Sequence, residues 1–511
     1  MGAELVLGID IGSTTSKAAL VALDGRVVAL EEVAHTISRP RPGWAEQDPD
    51  AVWWADVVTL CRRLLPPRDG GHVVAAAAAA LGPCLVLADA GGRPLRPAIL
   101  YGIDTRAVAE IAALEKHFGA AAILARCGSP LTTQAVGPKL AWVARREPDV
   151  LRATRRLFGA SSFLVHRLTG EYVLDHHSAS QWVPLYDVHV NAWIDEWVAQ
   201  SVAGSPLPPL PPLRWPQEAA GVVSAAAAAQ TGLPAGIPVA AGTIDSLAEA
   251  FGAGVRRPGR LLLAYGTTMF LAEVTTSARP DPRLWSPAGF VAGARNLTAG
   301  TATAGALAGW VRDLTGAPDF AALTAAARRV PPGAGGLVVL PYFAGERTPL
   351  FDPRARGVIA GLTLAHTSAH VFRAALEGIA FAVRHNLDVM REAGSRPRRL
   401  VASDAELKGV LWPQIVSDVT GLEQDVLEAP AVATVGAALL AAIAAGRADL
   451  ATDWSGAHTV VAPDPGAAAA YDEPYRIYRE LSPATREQQH ALADVADSTE
   501  APGPPGAQPL H

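Results

Sequence analysis

The stretch GIDIGSTTSKA, residues 8–18, and the later stretch AYGTTMF, residues 264–270, follow one pattern. In each, an apolar strand leads into a turn of glycine followed by serine or threonine, and a second apolar strand follows. Gly12 and Gly266 have no side chain, so an anion can approach the backbone closely there. Backbone N–H groups and uncharged hydroxyls in such turns favour phosphate binding. The repetition predicts two phosphate hairpins, although an ordinary β-hairpin with a polar turn stays open for either one alone.

The residues expected to bind the phosphates of a nucleotide lie in the two turns. They are Gly12, Ser13, Thr14, Thr15, Gly266, Thr267 and Thr268. Asp10 lies in the first hairpin, where a carboxylate can hold Mg²⁺ directly or through water. The sequence therefore predicts Asp10 as the metal ligand beside the phosphates.

Composition limits the class of protein. The chain has 511 residues, of which 50% are hydrophobic and 18% charged, with a net charge of -6. This length suits two domains of roughly 250 residues each. The charge does not favour nucleic acid or an anionic membrane as a partner. The first residues lack the features of a signal peptide, so we expect a cytoplasmic protein. Three widely spaced cysteines argue against a disulfide framework or a zinc site.

The order of strand and helix patterns predicts two α/β halves, each with its own hairpin. Residues 205–216 are rich in proline, which excludes a helix or an inner strand there. We therefore expect an N-terminal domain of residues 1–250 and a C-terminal domain of residues 251–490, with a nucleotide in the cleft between them. Residues 491–511 have the composition of a disordered tail.

A third pattern, AAGTIDSLAEAFGAG at residues 240–254, contains Asp245 after a strand and at the start of a helix. A carboxylate there can accept the proton of a substrate hydroxyl, while the helix N-terminus attracts anionic oxygens. A plain helix N-cap is the commoner role of an aspartate in this position, and that alternative stays open.

Five further segments complete a larger pattern. In chain order, together with GIDIGSTTSKA, they are GWAEQDP from Gly43, RPAILYGIDTRA from Arg96, LTGEYVLDHHSAS from Leu168, GIPVAAGTIDSLAEAFGAG from Gly236 and YFAGERTPLFDPRARGVIAGL from Tyr342. The chain resembles the FGGY carbohydrate kinase family, xylulokinases included, from about residue 5 to about residue 446. The resemblance implies an α/β fold of two ribonuclease-H-like domains, as in the actin-like ATPases, with ATP and a sugar in the interdomain cleft.

The resemblance also implies a role for individual residues. Asp245 would be the catalytic base and a substrate contact, and Asp10 would organise Mg²⁺. Asp104 and Arg106 would bind hydroxyls of the sugar, with helix capping as the alternative for Asp104. Lys17 would assist the two hairpins at the phosphates. The remaining nucleotide contacts would be Ala402, Ser403 and Gly436.

Two segments depart from the family pattern. Gly82 and Pro83 stand where xylulokinases have a Met-His pair, so D-xylulose is not specified as the substrate. Residues 402–405, Ala-Ser-Asp-Ala, replace a run of glycines at the adenosine, which adds side chains and a negative charge near a polyanion.

These observations favour an ATP-dependent kinase for a small sugar or polyol, with a xylulose-like ketose as first choice and a homodimer expected from the resemblance. A sugar-responsive binding protein with weakened use of ATP is the alternative. An actin-like filament or chaperone ATPase is a third hypothesis.

Overall fold

The computed structural model describes residues 2–66, 71–277, 279–403, 411–429 and 431–499. The strands of the N-terminal half are β1 (Glu4–Ile11), β2 (Thr15–Ala22), β3 (Val27–Ala34), β4 (Glu46–Gln47), β5 (His72–Ala80), β6 (Val86–Ala88), β7 (Ala98–Ile99), β8 (Arg156–Phe158), β9 (Leu174–Asp175), β10 (Tyr186–Asp187), β11 (Ala192–Trp193), β12 (Leu213–Arg214), β13 (Ala219–Val222), β14 (Pro238–Ala240) and β15 (Thr243–Ile244). Its helices are α1 (Ala55–Leu64, preceded by a π-helical turn Pro49–Trp54), α2 (Val108–Phe118), α3 (Ala120–Cys127), α4 (Val136–Arg146), α5 (Pro148–Ala153), α6 (Ala160–Thr169), α7 (His176–Ser180), α8 (Asp195–Ser201), α9 (Ala225–Thr231) and α10 (Asp245–Gly252).

The C-terminal half repeats the alternation of strands and helices. Its strands are β16 (Arg260–Tyr265), β17 (Met269–Thr275), β18 (Arg295–Thr301), β19 (Val338–Leu340), β20 (Val358–Ala360), β21 (Arg399–Ser403), β22 (Gln424–Leu427) and β23 (His458–Val461). Its helices are α11 (Gly305–Thr315), α12 (Phe320–Ala327), α13 (Ser368–Glu392), α14 (Leu411–Thr420), α15 (Val432–Ala444), α16 (Pro465–Ala470), α17 (Asp472–Ala484) and α18 (Arg486–Thr499).

The main sheets of the two halves have the same topology. In the first, the strand order is β3-β2-β1-β5-β14-β13, and in the second it is β18-β17-β16-β21-β22-β23. Each begins with three antiparallel strands, continues with two parallel ones and ends with an antiparallel edge strand. The duplication predicted from the two hairpins is therefore present in the whole sheet, and each hairpin is the first β-turn of its half.

Helices α10 and α15 occupy equivalent places in the two halves and pack against each other between the sheets. A Cβ on Gly436 would lie 1.9 Å from the carbonyl oxygen of Ala248, so only glycine permits this approach. A Cβ on Gly8 of β1 would lie 2.0 Å from the carbonyl oxygen of Thr434. One buried apolar cluster accordingly joins residues of both halves, among them Val6, Phe251, Leu262 and Leu439.

The end of the chain differs from the sequence prediction. Residues 491–499, expected to be disordered, form the second part of α18, where Ala493 is fully buried. An ion pair anchors this part of α18, with Arg354 Nη2 lying 2.6 Å from Asp494 Oδ2. Residues 500–511 lie outside the described residues. None of the described helices combines the length and the apolar character that a membrane span requires.

Candidate active site

A cavity of about 600 Å³ lies between the two halves. Most of the predicted site residues meet there, although they come from three distant segments. Those that line the cavity are Asp10, Ser13, Thr14, Lys17, Asp245, Gly266, Thr267 and Thr268. The cleft between the halves is therefore the candidate active site.

The first hairpin is a tight turn between β1 and β2, and Asp10 lies opposite Lys17 in the register of the two strands. The Gly12 N–H donates to the carbonyl oxygen of Thr15 at 3.0 Å and closes the turn. A Cβ on Gly12 would lie only 2.8 Å from that oxygen, so the turn needs glycine. Gly12 and Thr15 thus shape the turn, while the residues between them face the cavity.

A buried polar cluster holds this turn from behind, and we call it the His35 clamp (His35, Asp56 and Ser16). His35 Nε2 lies 3.1 Å from the carbonyl oxygen of Gly12, and its Nδ1 lies 2.8 Å from Asp56 Oδ2. Ser16 donates to the same carboxylate oxygen at 2.7 Å. The backbone N–H of His35 donates to Thr14 at 2.8 Å, so His35 contacts both sides of the turn.

The second hairpin, between β16 and β17, is closed by a hydrogen bond of 3.0 Å from Gly266 N–H to the Thr268 carbonyl. Its outer carbonyl groups accept hydrogen bonds from the start of α11. Ala304 N–H donates to Thr267 and Gly305 N–H donates to Gly266, each at 3.0 Å. These contacts use the carbonyl groups and leave the two threonine hydroxyls at the cavity.

Asp245 is the first residue of α10, directly after β15. The N-cap of this helix is Ile244, so Asp245 is not the capping residue that the alternative interpretation required. Its Oδ1 accepts from the Ser246 N–H at 2.7 Å. Burial, followed by the negative charges of Asp10 and Glu249, raises the pKa of Asp245 well above its usual range. The cleft thus contains a partly exposed carboxylate with enhanced basicity.

The strand that leads to Asp245 is held by a buried carboxylate, that of Asp175. Asp175 Oδ1 accepts from the Thr243 hydroxyl at 2.8 Å and from the Ser178 N–H at 3.0 Å. Burial raises the pKa of Asp175 to about 6. Because Thr243 precedes Asp245 by two residues, this contact anchors β15 and with it the start of α10.

Comparison with known proteins agrees with this arrangement. Models of the N-terminal and C-terminal domains of the FGGY family of carbohydrate kinases match residues 5–252 and 261–445. The chain belongs to this family. It is therefore a carbohydrate kinase, a phosphotransferase that uses ATP and an alcohol acceptor, and the predicted fold of two actin-like α/β halves is confirmed.

Individual relatives of this FGGY kinase are xylulose kinase of Escherichia coli (strain K12) and gluconokinase of Bacillus subtilis (strain 168). The first is 31% identical over 444 residues, covering 86% of this chain and 90% of that protein. The second is 26% identical over 463 residues, covering 87% and 88%. The crystal structure of xylulose kinase from Rhodospirillum rubrum aligns with a TM-score of 0.85 at 35% identity, over 95% of this chain and 100% of that one. These relatives give no support to the binding-protein or filament hypotheses.

Asp104 and Arg106 are placed differently from the prediction for this FGGY kinase. Their side chains are fully buried and paired with each other, Arg106 Nη2 lying 2.7 Å from Asp104 Oδ2. Arg106 Nη1 also lies 2.8 Å from Glu46 Oε1. Neither residue lines the cavity, whereas their neighbours Tyr101 and Ile103 do. These charges stabilise each other inside the protein, and their contact with the sugar stays a prediction.

Two residues predicted to contact the adenosine also lie elsewhere. Ala402 is fully buried in β21, and Ser403 donates to Glu249 Oε1 at 2.5 Å. Neither lines the cavity. Asp404 and Ala405, the other residues of this altered motif, lie outside the described residues. The side chain of Ser403 links the C-terminal sheet to α10, and the nucleotide contacts of Ala402 and Ser403 stay predictions.

Gly436, the third residue predicted to contact the nucleotide, lies in a helix contact. It lies on the face of α15 that contacts α10, with its Cα against the backbone of Ala248. The residues of this region that line the cavity precede it, at the start of α15: Ala431, Val432 and Ala433. Gly436 therefore serves the packing of the two helices.

Several residues that line the cavity were not predicted as site residues from the sequence. They are Tyr101, Gln134, His177, Gln181, Trp285 and Arg347. Tyr101, His177 and Arg347 stand inside segments that carry the family resemblance, and Gln181 directly follows one, so those segments were the available signal. Gln134 and Trp285 lie in stretches without a motif.

At Gly82, where xylulokinases have the first residue of the Met-His pair, the structure has no space for a side chain. Gly82 lines the cavity, and a Cβ there would lie 2.3 Å from Cγ2 of Ile244. Ile244 thus occupies the space that a side chain at position 82 would need, and the wall of the cavity differs here from the xylulokinase pattern.

Proposed function

We propose that this kinase transfers the γ-phosphoryl group of ATP to a hydroxyl of a small open-chain sugar or polyol, with a xylulose-like ketose as the first candidate. The observation that carries the proposal is that Asp245 lines the same cavity as both phosphate hairpins. The xylulose kinases among its relatives support the choice of a ketose.

Asp245 is the general base in this proposal. It would accept the proton of the substrate hydroxyl as the oxygen attacks phosphorus. The transition state of phosphoryl transfer is loose, so the base mainly orients the nucleophile and takes its proton late. The raised pKa of Asp245 strengthens it as a base. Because the base must be unprotonated, turnover should decrease as the pH falls through that raised pKa.

The phosphates of ATP would lie between the two hairpins. The hydroxyls of Ser13, Thr14, Thr267 and Thr268 can donate to phosphate oxygens there, and the Lys17 ammonium adds a positive charge.

Asp10 would hold Mg²⁺ beside these phosphates. Carboxylate and hydroxyl oxygens suit Mg²⁺, and the negative charge that Asp10 places near Asp245 is one that a divalent cation offsets. Within the described parts of the chain, no group of three or more His, Cys, Asp or Glu side chains could hold a metal. The remaining ligands would therefore be phosphate oxygens and water. When bound, Mg²⁺ neutralises charge on the transferring group.

The variant Asp245→Asn tests the proposal by ADP release across pentuloses, hexuloses, aldonates and polyols. We expect kcat to fall by about 10³-fold, within the range of general-base catalysis, while sugar binding measured by calorimetry persists. Asp319→Asn is the matched control, because Asp319 caps α12 on the surface and asparagine caps equally well. Turnover of Asp245→Asn within tenfold of the wild type would refute the assigned base.

Further features of the enzyme belong to the same proposal. We propose that the enzyme is cytoplasmic, because it consumes ATP, and that it is a homodimer. Its net charge of -6 does not favour binding to nucleic acid or to an anionic membrane, and we propose that it binds neither. The domains would be residues 1–250, ending in the last turn of α10, and residues 251–490, extended by α18. Light scattering coupled to size-exclusion chromatography measures the assembly, and a monomeric mass would contradict the dimer.

A further inference from the structure

We propose that His177 binds the sugar in this kinase and selects substrates that present a hydroxyl group to its Nε2 atom. The inference rests on the proposed function and adds a specificity-determining residue to it. His177 belongs to the short helix α7, and its side chain is buried and lines the cavity that contains Asp245.

The hydrogen bond on one side of the ring determines what the other side offers. His177 Nδ1 lies 2.5 Å from the carbonyl oxygen of Ala288. A carbonyl oxygen only accepts, so Nδ1 carries the proton. Burial lowers the pKa of His177 to about 4, and the ring is therefore neutral near pH 7. Nε2 keeps a lone pair, and no described residue donates a hydrogen bond to it.

A sugar hydroxyl is the natural donor for this lone pair. In the cavity, a ligand hydroxyl that donates to Nε2 forms a hydrogen bond that a ligand without that hydroxyl lacks. The surrounding wall has the chemistry of a carbohydrate site, because the amides of Gln134 and Gln181 and the ring of Trp285 line the same cavity. A carboxylate facing Nε2 would instead meet a second lone pair and be rejected.

The alternative is that His177 only joins α7 to the C-terminal half and does not contact the sugar. Ala288 follows β17 in the C-terminal half, and its N–H donates to the Ser180 hydroxyl of α7 at 2.9 Å. Together with this bond, the one from His177 to Ala288 joins α7 to that segment. If this were its whole role, replacing the imidazole would change stability and leave sugar recognition intact once the bond is restored.

The variant His177→Asn separates the two roles. The asparagine amide can overlay Nδ1 and still donate to Ala288, but it has nothing in the place of Nε2. We expect the melting temperature to stay within about 2 °C of the wild type and the Kd for D-xylulose, from calorimetry, to rise about tenfold, the effect of one lost hydrogen bond. The Kd for ATP should change less than about twofold, since His177 lies outside both hairpins.

His176→Asn is the matched control. His176 precedes His177 in the same helix, pairs with the Tyr186 hydroxyl at 2.9 Å and does not line the cavity. Its D-xylulose affinity should equal that of the wild type.

Deoxy analogues of D-xylulose identify the hydroxyl involved. For the wild type, one analogue among the 1-, 3- and 4-deoxy compounds should bind about tenfold more weakly than D-xylulose. The variant His177→Asn should bind that analogue and D-xylulose equally. It lacks the Nε2 atom that accepts from this hydroxyl, so removing the hydroxyl costs no further affinity.

The outcomes distinguish this proposal from the proposed function. Equal D-xylulose affinities of the wild type and His177→Asn overturn the role of His177, as does a parallel loss of ATP affinity and melting temperature. If sugars bind but no ADP is released, the proposed function fails while the binding comparison still decides on His177. If no sugar of the panel binds the wild type, both proposals fall.

Discussion

At the scale of single residues, the groups that face the cleft are held by buried polar groups behind it. Asp175 fixes Thr243 next to Asp245, and the His35 clamp fixes the first hairpin through Gly12 and Thr14. The side chains of His35 and Asp56 are 7% and 11% exposed, so water screens their contact little. Residues without any contact to substrate thus determine the geometry of the site.

The variant His35→Ala tests this dependence. It removes the contact with the Gly12 carbonyl, and the loosened turn should raise the KM for ATP about tenfold while the KM for the sugar changes less than about twofold. Steady-state ADP release with each substrate varied in turn measures both. His35→Gln, whose amide can reach Gly12, should recover part of the loss, and His72→Ala on the neighbouring β5, where the side chain is exposed, is the control. An unchanged KM for ATP in folded His35→Ala would contradict the clamp.

At the scale of elements, the contact between α10 and α15 connects the start of the catalytic helix to the C-terminal half. Gly252 repeats the role of Gly436 on the opposite side of the contact, since a Cβ there would lie 2.3 Å from the Val432 carbonyl oxygen. Small residues let the two backbones touch, so α10 has little freedom to shift along α15.

Gly436→Ala should therefore act on α10 without touching a nucleotide. The added methyl group would meet backbone atoms of Ala248, which cannot move aside cheaply. We expect a loss of about 3 kcal/mol or more in the free energy of unfolding, together with a lower kcat as Asp245 is displaced. Urea unfolding and ADP release measure the two effects.

A matched glycine is available for comparison. Gly309 in α11 has nothing within 4 Å of the position of a Cβ, so Gly309→Ala should be neutral or gain up to about 1 kcal/mol of stability. A Gly436→Ala variant that is as stable as the wild type and altered only in its KM for ATP would restore the nucleotide role that the sequence predicted.

Features of the fold and the site could be predicted from the sequence where the residues that determine them are neighbours in the chain. The turns around Gly12 and Gly266 and the strand-to-helix junction at Asp245 are set by neighbours in the sequence, and the structure has them as predicted. Gly436 and Asp104 owe their positions to distant partners that only the fold brings near, the Ala248 carbonyl for Gly436 and the Ala45 N–H for Asp104. A glycine or an aspartate in a motif does not reveal whether its partner is a ligand or another part of the chain.

At the scale of the whole molecule, the two halves share one apolar cluster between their sheets. Residues of β1, α10, β16 and α15 belong to it, and each half has a further apolar cluster of its own. The two halves are therefore joined by apolar packing between their sheets.

A shared core predicts cooperative unfolding. Differential scanning calorimetry should give one transition for the ligand-free protein, because exposing the central cluster destabilises both sheets together. ADP at 100 times its Kd should raise the stability of the entire molecule by about 2.7 kcal/mol and shift this transition as a whole. Two resolved transitions, of which only one responds to ADP, would show that the halves unfold independently.

The glycine in the first strand has a consequence for how this enzyme is made. Gly8 of β1 is in contact with Thr434 of α15, so one of the earliest segments to leave the ribosome finds its neighbour only when most of the polypeptide has been synthesised. Until then the nascent N-terminal sheet exposes the apolar face that α15 will cover, including Val6 and Ala75. During synthesis this face should therefore be open to aggregation or to chaperones until α15 has emerged.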